Sequence, residues 1–319
     1  MVRADEHRLR LHRMVPFRAT SSVSITEISS ELGLSAGALR MLTSFLGLDR
    51  VADAEPYSVL DMLHGIAEEA LTGLDRSRVR YLVHAHTMQL VAPPAVGLVR
   101  TLSGKLGLRE ARAFSMAHQN CATGLNALDV LAALLRAEPP GSLALLLVGE
   151  RANCRKLQVI PGTTVVGDGA VAIVAGLGGA ADTVIGSARR TLGEYYQSVD
   201  MPVELRRQYQ KIYLPTLWEV MRDAVADAGL GLDDIALMLP HNVNRLSWSN
   251  LAEQTGFPLE RIYLDNVPRT AHCFGADPFV NLVDARRAGA VRPGDAALLV
   301  TAGQGGTFAA VVLRIGDVP

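Results

Sequence analysis

The sequence is short of several things that would mark out a particular class of protein. Three cysteines occur in 319 residues, Cys121, Cys154 and Cys273. No two of them form a Cys-x-x-Cys pair, which argues against a disulfide scaffold and against a zinc site. Charge of one sign is not in excess either: 31 basic and 32 acidic side chains leave a formal net charge of -1. Bulk electrostatics therefore give no case for nucleic acid or an anionic membrane as partner. No run approaches about 18 consecutive apolar residues, the length that spans a bilayer. The opening "MVRADEHRLRLHRMV" lacks the apolar stretch of a signal peptide, so a soluble protein of the reducing cytoplasm is expected. Aromatic residues make up only 5%, which leaves Ala, Val, Leu and Ile to build the core.

What the chain does have is length, 49% hydrophobic residues and 29 glycines, a composition that suits a compact α/β enzyme of two units. Sliding the sequence by about half its length supports this, because three pairs of segments match in order. "GLDRSRVRYLVHAH" (73–86) resembles "GLGLDDIALMLPHN" (229–242), each a polar lead into an apolar strand ending near histidine. "PPGSLALLLVGE" (139–150) resembles "RPGDAALLVTAG" (292–303), a Pro-Gly turn feeding a buried strand. "GDGAVAIVAGLG" (167–178) resembles "GGTFAAVVLRIG" (305–316). Two related α/β halves, 1–178 and 179–319, follow.

Matching Pro140 to Pro293 carries Cys121 onto Phe274, so "NCATGLNALDVLAALL" and "HCFGADPFVNLVDARRAG" should hold related positions, each a loop entering a helix. Leucines 125, 128, 131, 134 and 135 follow a helical spacing until Pro139-Pro140. Pro278 suits a first helical position, and Phe279, Leu282 and Val283 give an apolar face. A pseudo-two-fold would bring the two helix starts together, each a positive end favourable to an anion. Cys121 is there a candidate nucleophile, since the thiolate is the reactive form and a helix start favours it. In "AHCFGADPF" (271–279), His272 and Asp277 could form an imidazole and its orienting carboxylate. Aspartate before proline is equally what a helix N-cap looks like.

These motifs, taken in order, resemble the thiolase superfamily, most of all the β-ketoacyl-acyl-carrier-protein synthase III group, from about residue 40 to the end. The likeness rests on "NCATGLNAL" around the cysteine, "GDGAVAIV", "PHNVNR" and "GQGGTFAAVVLR". It implies the thiolase fold, two pseudo-two-fold-related α/β halves in a layered α-β-α-β-α arrangement, and a homodimer. It also implies that Cys121 accepts an acyl group from a phosphopantetheine thioester, on acyl carrier protein or CoA, with no permanently bound cofactor. The amides of Cys121 and Gly305 would form the oxyanion hole, His241 would serve the catalytic site, and Asn244 would lie beside it.

One position departs from the family. Where the usual Gly-Asn-Thr-Ser loop places an asparagine, this chain has His272, which can take a proton that an amide cannot. A Cys121-His272-Asp277 triad resembles the acyltransferase branch of antibiotic pathways, and the expectation is transfer to a hydroxyl, amine or carrier-protein acceptor without decarboxylative condensation. The alternative is a decarboxylating synthase III that forms a carbon-carbon bond.

Two further stretches bear on partners. "LGEYYQSVDMPVELRRQYQKIYLPTLWEVMRDAVADAG" (192–229) holds four of the seven tyrosines, and Tyr195, Tyr196 and Trp218 are candidates to line a substrate pocket. The other reading is an amphipathic helix packed on the body. "SITEISSELGLSAGALRMLTSFLGL" (24–48) looks like a helix-turn-helix, but its second half offers only Arg40 to a phosphate backbone, so no nucleic acid is expected.

Overall fold

The computed structural model describes residues 7–317 except 20, 94, 153, 198 and 199. In chain order the strands are β1 (Leu9–Pro16), β2 (Ser21–Ser24), β3 (Arg50–Asp53), β4 (Val79–Ala85), β5 (Arg112–Met116), β6 (Leu143–Glu150) and β7 (Val159–Ile160). They continue with β8 (Thr164–Val165), β9 (Gly169–Leu177), β10 (Asp182–Thr191), β11 (Ile235–Pro240), β12 (Ala296–Gly303) and β13 (Thr307–Arg314). Nine of them share one hydrogen-bonded order, β11-β12-β13-β10-β1-β9-β6-β4-β5.

That order contains the same motif twice. From the middle outward, β1-β9-β6-β4-β5 is answered by β10-β13-β12-β11. In both runs the outer strands are parallel (β4 with β5 and β6, β11 with β12) and the inner pairs antiparallel. In place of a partner for β5, the second run has a single parallel bridge from Met238 to Ile262. The two runs meet at β1 and β10 through only two residue pairs, Arg10 with Thr183 and Leu11 with Asp182.

Helices fill three layers around this sheet. Thr123–Leu135 and Asp277–Arg287 lie in the middle, where Leu125, Leu128, Phe279 and Leu282 share one core with Val83, Leu146 and Ile173 of one run and Leu239, Leu299 and Val311 of the other. Val59–Leu71 and Leu98–Lys105 cover the far face of β4, β6 and β9. Val203–Asp227 and Arg245–Thr255 cover the far face of β11, β12 and β13. The α-β-α-β-α layering is therefore that of the thiolase fold. The strands buried on both faces are the apolar runs of the sequence: all eight residues of β6 and of β12 are buried.

The local pattern at 24–48 does not form two helices. Ala36–Arg40 is one short turn continued by a π-type turn, and Leu42, Leu46 and Leu48 are buried in the outer core. Among the described residues, no helix is long and apolar enough to cross a membrane.

Phe279 is fully buried in the core shared by the two sheet runs. Phe279→Ala should lower stability by about 3–5 kcal/mol, measured as a lower denaturant midpoint at unchanged slope.

Candidate active site

The C-terminal ends of the parallel strands in both runs open onto one place, where α/β proteins generally bind ligands. Cys121 follows β5 in a 3-10 turn, Asn120–Ala122, immediately before the Thr123–Leu135 helix. The second run repeats the device: the 3-10 turn Phe274–Ala276 enters the Asp277–Arg287 helix. The two turns pack together so closely that a Cβ on Gly275 would sit 3.0 Å from the Cys121 carbonyl oxygen. The helix starts that the internal repeat aligns are thus neighbours in space.

His272 reaches Cys121 from this second loop. Its Nε2 lies 3.1 Å from Cys121 Sγ, and its Nδ1 lies 2.5 Å from Asp277 Oδ2. All three groups are buried, at 7%, 2% and 1% exposure. Asp277 is the first residue of its helix, and no side chain caps that helix, so the cap reading of Asp277 is replaced. Its carboxylate instead accepts from the Cys273 amide at 2.8 Å, the Asn242 amide at 2.7 Å and Asn242 Nδ2 at 3.2 Å.

The His272 loop is also held to the first run. His272 donates its amide to Val165 and accepts from the Gly167 amide at 2.8 Å. The glycines of "GDGAVAIV" permit the approach: a Cβ on Gly167 would meet the Thr270 carbonyl at 2.7 Å, and one on Gly169 would meet Cys273 Cβ at 2.5 Å.

Strain gathers at the same two loops. Among the described residues the non-glycine positions with positive φ are His118, Asn120, Ala271 and Phe274, each within three residues of Cys121 or His272. Such conformations cost about 1–3 kcal/mol each and persist where the surroundings impose them.

Charge separates the two histidines. Burial alone would push His272 down, but Cys121 and Asp277 outweigh it and raise the imidazole to about 10. His241, which follows β11, has no anion against it; burial and the neighbouring His272 push it down to about 3. The rings lie 5.9 Å apart. Their surroundings drive the two rings in opposite directions, His272 toward the charged form and His241 toward the neutral one.

Other sequence candidates are placed differently. The β12–β13 turn that carries Gly305 is tied to the Cys121 loop by Asn120 Nδ2, which donates to the Gln304 carbonyl. Asn244 does not line the site: its Oδ1 caps the Arg245–Thr255 helix at Ser247, and its Nδ2 donates to Thr163. Tyr196 is 75% exposed, and Trp218 packs edge-on against Phe257 in the outer layer. Tyr195 is buried beside Tyr209, with ring centroids 5.0 Å apart.

Sequence reasoning missed Thr87 and Glu150, and reached Tyr213 only as one of the four tyrosines of the 192–229 stretch. Tyr213 Oη lies 3.1 Å from His241 Nε2, and Thr87 Oγ1 lies 3.9 Å from Cys121 Sγ. Glu150 is fully buried at the end of β6 and accepts from the Thr87 and Met88 amides at 2.5 and 2.7 Å. Burial pushes its carboxyl up to about 7. A polar residue closing an all-apolar strand was the one available signal.

Comparison with known proteins agrees with this architecture. Residues 225–315 match the family described as 3-oxoacyl-[acyl-carrier-protein (ACP)] synthase III C terminal. A β-ketoacyl-[acyl-carrier-protein] synthase III of Nitratidesulfovibrio vulgaris (strain Miyazaki F) is 27% identical over 76% of this chain and 78% of its own length. The enzyme of that name from Rhodospirillum rubrum is 28% identical over 87% of this chain and 90% of its own. The solved structure of ChlB3, described as an acyltransferase, superposes with a TM-score of 0.86 over 97% of this chain and 98% of its own; at 19% identity it speaks for the fold alone.

These findings correct the expectation of acyl transfer without condensation. The relatives that align over most of the chain are synthases, and the residue on which that expectation rested behaves otherwise than assumed. The general-base reading of His272 rests on imidazole being able to accept a proton; Cys121 and Asp277 instead raise it to about 10, which favours the protonated form.

Since folding raises His272 above its ordinary 6.5, the stability it contributes is complete below about pH 6.5 and fades as pH rises through about 10. Asp277→Asn should therefore cost about 3–5 kcal/mol at pH 6, and less at pH 10.5. Denaturant unfolding of both proteins at the two pH values checks this.

Proposed function

We propose that this chain, a synthase III-like enzyme with the thiolase fold, forms a carbon-carbon bond by decarboxylative condensation. The observation that carries the reading is His272 held between Cys121 and Asp277, two neighbours that favour its protonated form: an enolate or oxyanion needs a donor beside it, whereas an alcohol or amine acceptor would need a base.

Cys121 attacks the carbonyl of an acyl thioester carried on CoA or acyl carrier protein, and the amides of Cys121 and Gly305 receive the oxyanion. The departing thiolate takes a proton from His272, which regains one from solvent because Asp277 still favours its charged form. A malonyl thioester then loses carbon dioxide. The bond to its carboxylate breaks, and the electron pair passes to the thioester oxygen as an enolate. The enolate carbon attacks the acyl group on Cys121, and collapse expels the Cys121 thiolate beside the His272 imidazolium.

A cavity of about 400 Å³, whose lining includes His86, Gln89, Leu90, Val91, Arg100 and Ala113, is the candidate place for the acyl chain. The reading also takes each chain, with its halves 1–178 and 179–319, to be cytoplasmic and to pair with a second copy through β5. That strand ends the sheet order and exposes Arg112, Ala113 and Ser115.

Intact mass after addition of an acyl-CoA should show one acyl adduct on the wild type and none on Cys121→Ala. Malonyl carrier protein should then release carbon dioxide and gain a β-ketoacyl group. Transfer of the acyl group to an alcohol or amine with no carbon dioxide released would overturn the reading.

A further inference from the structure

Glu150 takes no part in the reaction as proposed, yet it lies fully buried at the end of β6, a strand whose other seven residues are apolar or glycine. Gly149 ahead of it holds φ at 127°, and a Cβ there would run into the Gly169 carbonyl. Only glycine serves at that place, and the side chain that follows meets the loop after β4. Its two oxygens accept from successive amides of that loop, Thr87 at 2.5 Å and Met88 at 2.7 Å. His86 ties down the same turn: its amide donates to the Met116 carbonyl at 3.0 Å, and its Nδ1 lies 2.7 Å from the Met88 carbonyl.

The Thr87 hydroxyl then has two partners and one proton. Its Oγ1 lies 3.9 Å from Cys121 Sγ, and it bonds to the Glu150 carboxyl as well. A hydroxyl donates only once, so the state of Glu150 decides between them. An ionised carboxylate is the stronger acceptor and takes the proton, leaving a lone pair of Oγ1 toward sulfur. A protonated carboxyl has a proton of its own to place. The two amides can only donate, so that proton goes to Thr87 Oγ1, and the Thr87 proton turns to Cys121 Sγ.

The surroundings make both states accessible. Burial pushes the Glu150 carboxyl up to about 7, against the two amides, the Thr87 hydroxyl and the charge of His272. His84, whose Nε2 lies 2.9 Å from the Gly149 carbonyl, is driven toward its neutral form by burial, and so is His86. Arg151, next in the chain, is engaged by Asp168 and Glu55.

We propose that Glu150 is a positioning residue for Cys121: its carboxyl sets which way the Thr87 hydroxyl points, and so whether the nucleophile meets a donor on that side. The inference rests on the part of the reading above in which Cys121 is acylated, not on what the acyl group meets afterwards. With Glu150 protonated, the Thr87 O–H holds the sulfur, and that bond must be given up as the sulfur attacks. With Glu150 ionised, the bond is already gone.

Intact mass after timed additions of an acyl-CoA gives the rate at which Cys121 is acylated. In the wild type this rate should carry a step near pH 7, rising about three- to tenfold between pH 6 and pH 8. Glu150→Gln holds the group opposite Thr87 in one state and should remove the step. Thr87→Val keeps both amide bonds to Glu150 but has no hydroxyl, so it should remove the step too, whereas Thr87→Ser should retain it. A step that persists in Thr87→Val would show Glu150 acting by charge alone and overturn the positioning role. A step that persists in Glu150→Gln, or is missing from a wild type that does acylate, would overturn it equally, with the condensing reading untouched. A wild type that forms no adduct would instead remove the proposed function, and this role of Glu150 with it.

Discussion

The Asp277 carboxylate is the group around which the rest of the site is arranged. An acid at 1% exposure is tolerated only where donors replace the water it has lost. Four donors do so: His272 Nδ1, the Cys273 amide, and the backbone and side-chain nitrogens of Asn242. They come from two loops that the chain enters separately, one after β11 and one before the Asp277–Arg287 helix. Satisfying one charge therefore fixes both, and His241, next to Asn242, is placed by the same bonds that orient His272.

Fixing those loops has a structural cost, and it falls where the chemistry is. The backbone is forced into positive φ at His118, Asn120, Ala271 and Phe274, and the two helix starts are pressed together at Gly275. The buried middle layer bears this strain. Arg286, in the last turn of the Asp277 helix, adds a two-pronged bond to the buried Asp182 of β10, at 2.6 and 2.7 Å. With both ends of that helix anchored by charge, its first turn cannot relax away from Cys121. Two histidines 5.9 Å apart then acquire opposite protonation states from their surroundings alone, which is how environments divide roles among identical side chains.

How much of this could be read in the sequence depended on what kind of contact was involved. The buried strands β6 and β12, the matching halves and the two loop-to-helix junctions were legible, because each is written in a continuous segment with its own turn residues. Cys121, His272 and Asp277 were legible as a group because the internal repeat superimposes their loops. Tyr213 and Glu150 were not: the first meets His241 across 28 residues and the second meets Thr87 across 63, and neither pairing leaves a local mark. The aromatic residues near Tyr195 can be counted in the sequence but not aimed, so nothing local separates Tyr213, which meets His241, from the exposed Tyr196 and the outer-layer Trp218. The reaction was misread for a related reason. A histidine in place of an asparagine suggests a base, yet whether imidazole gives or takes a proton is decided by Cys121 and Asp277, which folding brings to it.

That fixed cation gives the proposed reaction a simple electrostatic course. In the resting enzyme the group beside His272 is the Cys121 sulfur. Acylation ties it up as a thioester, and the oxyanions of each half-reaction form beside His272 only briefly. The malonyl thioester brings its own negative charge, which passes to the enolate oxygen as carbon dioxide leaves and returns to Cys121 sulfur on collapse. Apart from the proton it gives to the departing thiolate and regains from solvent, His272 keeps its place and its charge through the proposed cycle, with Asp277 behind it. In a water-excluded site, rearranging charges or dipoles at each step would be the expensive part, and a preorganised cation avoids it. An asparagine at position 272 would offer the same geometry with a dipole; histidine backed by a carboxylate offers a full charge, and so a stronger hold on every anion that forms beside it.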